Sequence, residues 1–131
     1  MLRLLPPLCW TGLIASFGGS QWSGAHTAAW LIPLLRACLP FTSPDELAAI
    51  HLVIRKSAHV IEYAVLAVLW RRSVGGAGRP LALAVLTACL DELRQSFTPG
   101  RGGSMADVLL DGAAAGLALV AARRRRQGAA S

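Results

Sequence analysis

Ionisable side chains recur at helical spacing within one apolar stretch of the sequence. Lys56, His59 and Tyr63 occupy positions i, i+3 and i+7, which places them along one stripe of a helix. Glu62 lies next to that stripe, and a helix rises only about 9 Å between Lys56 and Glu62. Because histidine titrates near neutral pH and a carboxylate can orient it, the pattern indicates acid–base chemistry or charge pairing.

Two further apolar segments carry polar residues at one end. Asp91, Glu92 and Gln95 close one segment, and Asp107 opens the next. An ionisable side chain deep in a bilayer costs roughly 2.5 to 3.5 kcal/mol, and it is tolerated when it finds a partner within the protein. We therefore predict one buried polar cluster, with His59, Glu92 and Asp91 as candidate catalytic residues. The candidate substrate-binding residues are Lys56, Tyr63, Gln95, Arg101 and Asp107.

Two alternatives to a reactive site follow from the same residues. A structural cluster would only pair charges and fix the register of packed helices, as polar groups do in membrane bundles. A metal centre would use His59 and Glu62 at i and i+3, but only His51 lies near them and a second helical histidine motif is missing. The sequence therefore favours a site with no metal and no cofactor.

The segment 98–104 combines a tight turn with a helix start. A Pro-Gly pair suits the central positions of a type II turn, and two more glycines follow it. Ser104 and Asp107 resemble a capping box, which is the purely structural interpretation of Asp107. Glycine amides, a helix N-terminus and the Arg101 guanidinium together would also hold a phosphate or carboxylate group.

The composition indicates a membrane protein of a single domain. The 131 residues are 54% hydrophobic and 15% charged, whereas soluble domains average roughly 25% charged. This composition excludes intrinsic disorder and argues against a water-soluble globule, and residues 1–131 suffice for one domain only. The three cysteines, Cys9, Cys38 and Cys89, are odd in number and lack CxxC spacing, so neither a disulfide framework nor a zinc site is indicated.

Four apolar segments predict an all-α, membrane-embedded bundle of about four transmembrane helices. The last three have about 17 to 19 residues, enough to cross a hydrocarbon core of about 30 Å. The first is shorter, and its alternative is a cleaved signal peptide. Between the first two, Pro33, Pro40 and Pro44 interrupt any long helix, and 27–39 would form a short surface helix. The predicted spans are residues 4–18, 52–70, 81–97 and 105–122.

The basic residues predict the orientation of the bundle. The formal charge is +6, and the arginines flank apolar segments without interleaved aromatic residues, so a nucleic-acid partner is not expected. If neighbouring helices alternate in direction, eight basic residues face one side of the membrane and four face the other. The positive-inside rule then places both termini in the cytoplasm and the polar helix ends outside. The eight are Arg3, Arg71, Arg72, Arg79 and 123–126, and the four are Arg36, Arg55, Lys56 and Arg101.

A set of polar, glycine and proline positions stands in a fixed order across the last three segments. The set comprises Lys56, His59, Tyr63, Leu66, Asp91, Glu92, Gln95, Phe97, Pro99, Gly100, Arg101, Asp107, Gly112 and Gly116. Over about residues 53–120 it resembles the VanZ-like family. The resemblance implies a small multi-pass protein of the bacterial cytoplasmic (inner) membrane, linked in the family to glycopeptide resistance and teicoplanin susceptibility. The family often has Asn where this chain has Asp111, which leaves the role of this position open.

The function that follows is that of a membrane protein with an outward-facing polar pocket. We expect the pocket to bind or modify an anionic molecule of the cell envelope, such as a lipid-linked or peptidoglycan precursor. The alternative is a non-catalytic membrane scaffold or a proton-coupled transporter, in which the cluster pairs charges or relays protons. An enzyme needs an acid or base beside open space, so the choice depends on what surrounds His59 and Glu92.

Overall fold

The chain folds into helices joined by short connections. This computed structural model describes residues 2–128, apart from the side chain of Arg126. Within that range no strand occurs, which confirms the all-α prediction. Met1 and residues 129–131, which the single-domain prediction includes, lie outside the described residues. The helices are α1 (Leu5–Phe17), α2 (Gly24–Cys38), α3 (Pro44–Val74), α4 (Gly78–Ser96) and α5 (Met105–Gly128), with 3-10 turns at Leu2–Leu4 and Ser20–Trp22.

The longest helix, α3, begins well before the span predicted at 52–70. Ser43 forms a capping box with Glu46, in which the Ser43 hydroxyl accepts from the Glu46 N–H and the Ser43 N–H donates to the Glu46 carboxylate at 2.8 Å. The bond from the Ser43 backbone lowers the pKa of Glu46, so the cap persists in mildly acidic solution. The predicted interruption at Pro44 is confirmed, because α2 ends at Cys38 and Pro44 begins α3, where the N–H that proline lacks has no intrahelical partner.

The helix α2 is longer than the predicted segment 27–39 and contains Pro33 in its interior. A proline at such a position costs about 3 kcal/mol through the lost hydrogen bond and the ring clash. The predicted short helix is present with somewhat different bounds, and it continues through Pro33. The buried Thr27 hydroxyl lies 3.0 Å from His51 Nε2 on α3, so α2 is fixed against α3.

The helices differ from the predicted spans in length. α1 has 13 residues, so it extends about 20 Å at about 1.5 Å per residue, short of a hydrocarbon core of about 30 Å. α5 covers the predicted span 105–122 and continues into the arginine run. By length and composition, one helix among the described residues could cross a membrane, Met105–Arg125, with mean hydropathy 1.7, and the shorter helix Leu2–Phe17 is also apolar. A four-span bundle is thus a proposal and not an observed property.

The core lies where α3, α4 and α5 pack against one another. Leu66 of α3 is fully buried in the same cluster as Ala84 and Ala88 of α4. The small side chains at these two positions of α4 let the helix backbones approach closely. On α5, a Cβ atom on Gly112 would lie 3.3 Å from a valine of α4, whereas one on Gly116 would meet nothing within 4 Å.

Successive long helices run in opposite directions, so their polar segments meet at one end of the bundle. At the opposite end, Arg71 Nη1 of α3 donates to the Leu119 carbonyl of α5 at 3.1 Å, and the Ser73 hydroxyl donates to the carbonyl of Arg3. We call the first end the polar end. It comprises residues 55–63 on α3, 91–95 on α4, and 98–111 in the α4–α5 loop and the start of α5.

Candidate functional site

Lys56 of α3 and Asp107 of α5 form an ion pair across the polar end, and the Lys56 ammonium donates a hydrogen bond to the Asp107 carboxylate. The Lys56 side chain is 39% exposed and that of Asp107 is 22% exposed, so the pair borders solvent. The side chains predicted to form a capping box, Ser104 and Asp107, instead take part in longer-range contacts. The Asp107 carboxylate accepts from Lys56, and the Ser104 N–H donates to the Glu92 carboxylate. These two predicted binding residues therefore balance each other's charge.

The last turns of α4 hold two carboxylates that accept hydrogen bonds from neighbouring groups. The buried Asp91 carboxylate accepts from Gln95 Nε2 at 2.7 Å and from Arg94 Nη2 at 2.9 Å. The buried Glu92 carboxylate accepts from the Ser104 backbone N–H at 2.7 Å. Since the first N–H groups of a helix have no partner within it, Glu92 caps the start of α5 from another helix.

His59 and Asp111 approach each other in the buried centre of the polar end. His59 Nδ1 lies 3.6 Å from Asp111 Oδ2, beyond ordinary hydrogen-bond length. The Asp111 side chain is 1% exposed, and among the described residues neither of its oxygens has a hydrogen-bond partner. Tyr63 stacks on His59 with ring centroids 6.5 Å apart, and its buried hydroxyl also lacks a partner there. The sequence signal for Asp111 was its i, i+4 spacing from Asp107.

Arg101 ties the α4–α5 loop to the connection between α1 and α2. Its Nη2 atom donates to the Phe17 carbonyl at 2.9 Å and also to the Trp22 carbonyl. Burial lowers the pKa of Arg101, although a guanidinium stays charged at neutral pH. The Arg101 guanidinium was predicted to bind an anion, but one of its nitrogens already donates hydrogen bonds that position the loop.

Arg55 is a cationic residue of the polar end that was not among the predicted site residues. Within the described part of the chain it forms no ion pair, in contrast to Lys56. Its guanidinium lies against the first turn of α2, where a Cβ atom on Gly24 would be 2.7 Å from Arg55 Nη1. The start of a helix carries partial positive charge, which adds to the positive charge of Arg55 instead of balancing it. The available sequence signal was the i, i+4 spacing from Arg55 to His59.

Two adjoining cavities open at the polar end. One has a volume of about 240 Å³ and a largely apolar wall that includes Ile14, Phe17 and Trp22. The other has a volume of about 230 Å³ and a polar wall that includes Lys56, Gln95 and Asp107. The residues that line both cavities are Arg55, His59 and Arg101.

Gly103 allows the α4–α5 loop to pack closely against α4. A Cβ atom at this position would collide with the backbone carbonyl of Glu92 and lie 3.2 Å from the Ser96 side chain, whereas one on Gly102 would meet nothing within 4 Å. We expect Gly103→Ala to lower the free energy of unfolding in detergent by about 1 to 3 kcal/mol, as overpacking does. Gly102→Ala should leave it unchanged, and equal stability of the two variants would contradict this placement of the loop.

Residues 5–126 match the model of the VanZ/LLP1 family. The chain belongs to this family. The match includes α1 and α2, so it extends beyond the 53–120 segment on which the resemblance was based. The VanZ/LLP1 family is membrane-associated. Neither a curated protein nor a solved structure matches the chain.

The predicted catalytic residues of this VanZ/LLP1 protein differ in their access to open space. His59 borders both cavities and is the residue able to exchange a proton with a bound molecule. Asp91 borders the apolar cavity, but its carboxylate is held by Gln95 and Arg94. Glu92 borders neither cavity and is held by Ser104. The arrangement therefore suits binding of an anion beside one open imidazole.

Proposed function

We propose that this VanZ/LLP1 protein binds an anionic amphiphile of the bacterial cell envelope, such as a lipid-linked precursor, at an outward-facing polar end. The observation that carries the proposal is the pair of adjoining cavities, one apolar and one polar, with Arg55, His59 and Arg101 between them. The hydrocarbon chain enters the apolar cavity and the anionic headgroup enters the polar one. One apolar and one polar cavity side by side match an amphiphile, which has an apolar chain and a polar headgroup.

Arg55 is the main anion-binding group in this proposal. The positive charge of Lys56 is balanced by Asp107, and Arg101 donates to two backbone carbonyls. Arg55 has no carboxylate partner among the described residues and lies beside the positive end of α2. A phosphate between Arg55 and the α2 start would receive charge-assisted hydrogen bonds.

The outer surface of the bundle supports insertion into a bilayer. Large apolar side chains point outward from α4 and α5, and those of Leu90, Leu109 and Leu117 are 57%, 69% and 72% exposed. Soluble monomers rarely expose apolar surface over contiguous areas of this kind. We propose that α3, α4 and α5 cross the membrane and that α1 crosses at a locally thinned bilayer, which costs fractions of a kcal/mol per Å of mismatch.

The proposed topology has both termini in the cytoplasm and the polar end outside. Reporter fusions after Trp70 and after Ala122 should therefore read cytoplasmic, because the basic residues that follow these positions are retained inside. A fusion at Gly102 should read external. A cytoplasmic reading at Gly102 would contradict the outward-facing cavities.

A scaffold whose charges are all paired explains less of the site. Such a scaffold accounts for the Lys56–Asp107 and Arg94–Asp91 pairs. It gives no reason for the position of Arg55, without an ion pair among the described residues, at the junction of two cavities. This position is accounted for when an anion binds at the polar end.

The proposal is tested by comparing two probes that share one polyprenyl chain and differ only in the phosphate group. Purified protein in nanodiscs of neutral phosphatidylcholine is titrated with a fluorescent polyprenyl phosphate and, separately, with the polyprenol of the same chain length. We expect saturable binding of the phosphate and at least about tenfold weaker binding of the alcohol, because the alcohol forms no charge-assisted hydrogen bond. Equal binding of the two probes would refute recognition of the anion.

A further inference from the structure

We infer that His59, Glu92 and Asp111 bind a divalent transition-metal cation at the centre of the polar end. One ligand atom from each residue, an imidazole nitrogen or a carboxylate oxygen, lies within 4.8 Å of the other two. The three residues come from α3, α4 and α5, so each packed long helix supplies one ligand. A metal at this point would tie the three helices together.

The buried Asp111 carboxylate is the independent observation that indicates a cation. Its side chain is 1% exposed, and neither oxygen accepts a hydrogen bond from any described residue. Burying a carboxylate that accepts no hydrogen bond costs several kcal/mol after relaxation of the surroundings. His59 Nδ1 lies 3.6 Å from Asp111 Oδ2, within ion-pair distance, but it is also buried without a hydrogen-bond partner among the described residues. The two ligand atoms, His59 Nδ1 and Asp111 Oδ2, are thus too far apart for a direct hydrogen bond.

The donor set defines the class of metal. A neutral imidazole and two carboxylates carry two negative charges, which a divalent cation neutralises. One nitrogen and two oxygen ligands suit Zn²⁺, Mn²⁺ or Fe²⁺ better than Ca²⁺ or Mg²⁺, which prefer oxygen ligands alone. Around a tetrahedral metal with bonds of about 2.1 Å the ligand atoms are about 3.4 Å apart. The present atoms lie within 4.8 Å of one another, so metal binding requires them to move closer together.

The neighbouring residues supply orientation and an open position. The Ser104 N–H donates to Glu92 Oε2, which fixes this carboxylate as outer-shell contacts fix the ligands of metal sites. Three protein ligands leave one coordination position free, as in catalytic zinc sites. Because His59 borders both cavities, that position faces the space assigned to the anionic headgroup.

The sequence pattern did not predict a metal, because a second histidine motif on a helix is missing from the chain. The inferred ligands instead come singly from three helices, and no spacing along the chain brings such a set together.

The test uses metal alone and no amphiphile, so it can fail while the proposed ligand binding stands. Protein without a polyhistidine tag is purified in detergent, treated with chelator, dialysed against Zn²⁺ or Mn²⁺, and analysed for bound metal. We expect about one ion per chain and a rise in melting temperature on metal addition. A wild-type metal content well below one per chain for both ions would overturn the inference.

Variants locate the ion. Asp111→Asn removes a charge at nearly constant shape and should reduce bound metal at least about tenfold, and His59→Gln should do the same. Glu62→Gln is the matched control, because it removes a carboxylate on α3 that is outside the ligand set, and it should keep the full content. Full content in folded Asp111→Asn would overturn the inference. If Asp111→Asn does not fold, the comparison of His59→Gln with Glu62→Gln decides.

Discussion

An Arg55→Gln variant should bind polyprenyl phosphate about 10- to 150-fold more weakly than the unchanged protein. The range follows from about 1.5 to 3 kcal/mol for a hydrogen bond to a charged group, at about 1.4 kcal/mol per factor of ten. Gln keeps much of the side-chain length but lacks the charge. The loss of affinity should concern the phosphate probe, whereas the affinity for the polyprenol should change little.

Arg36→Gln is the matched control for this experiment. Arg36 lies on α2, is exposed, and borders neither of the two cavities. The variant therefore removes the same charge from the same predicted side of the membrane without touching the site. If both variants weaken phosphate binding equally, the effect is one of net charge, and Arg55 is not the anion-binding group.

Arg101→Lys should lower the free energy of unfolding in detergent by about 1.5 to 3 kcal/mol, the usual worth of hydrogen bonds that involve a charged group. Lysine keeps the charge but has no planar fork to reach the Phe17 and Trp22 carbonyls together. The connection between α1 and α2 would then lose its tie to the α4–α5 loop. Since Phe17 and Trp22 also border the apolar cavity, binding of both the phosphate and the alcohol should weaken.

Arg123→Lys is the control for Arg101→Lys. Arg123 is exposed near the other end of the bundle, so the same substitution there should change neither stability nor binding. A stable Arg101→Lys protein with unchanged affinity for both probes would contradict the positioning role. Weakened binding of the phosphate alone would instead indicate that Arg101 contacts the anion.

Helical periodicity and charge placement were sufficient to predict the bundle and its polar end. The stripe of Lys56, His59 and Tyr63 depends on the fixed geometry of one helix. The shared end of three helices depends on short connections between antiparallel neighbours. Both properties follow from residues that are near one another along the chain, and the sequence alone therefore predicts them.

The remaining features depend on contacts between distant residues. The contact of α2 with α3, through Thr27 and His51, joins residues 24 positions apart and could not be read from the sequence. Arg55 could not be distinguished from Lys56 by spacing, because what separates them is that Asp107 pairs with Lys56 only. Asp111 became prominent through its burial without a hydrogen-bond partner, which no pattern of residue types reveals.

Photocrosslinking tests most directly whether an anionic amphiphile occupies the two cavities. A polyprenyl phosphate with a diazirine near its headgroup is irradiated with the protein in neutral nanodiscs, and labelled peptides are identified by mass spectrometry. We expect label on residues 52–59 and 95–107, which include the wall of the polar cavity, competed by unlabelled polyprenyl phosphate but not by the polyprenol. Label spread over the outward-facing leucines of α4 and α5, unchanged by the competitor, would contradict a specific site at the polar end.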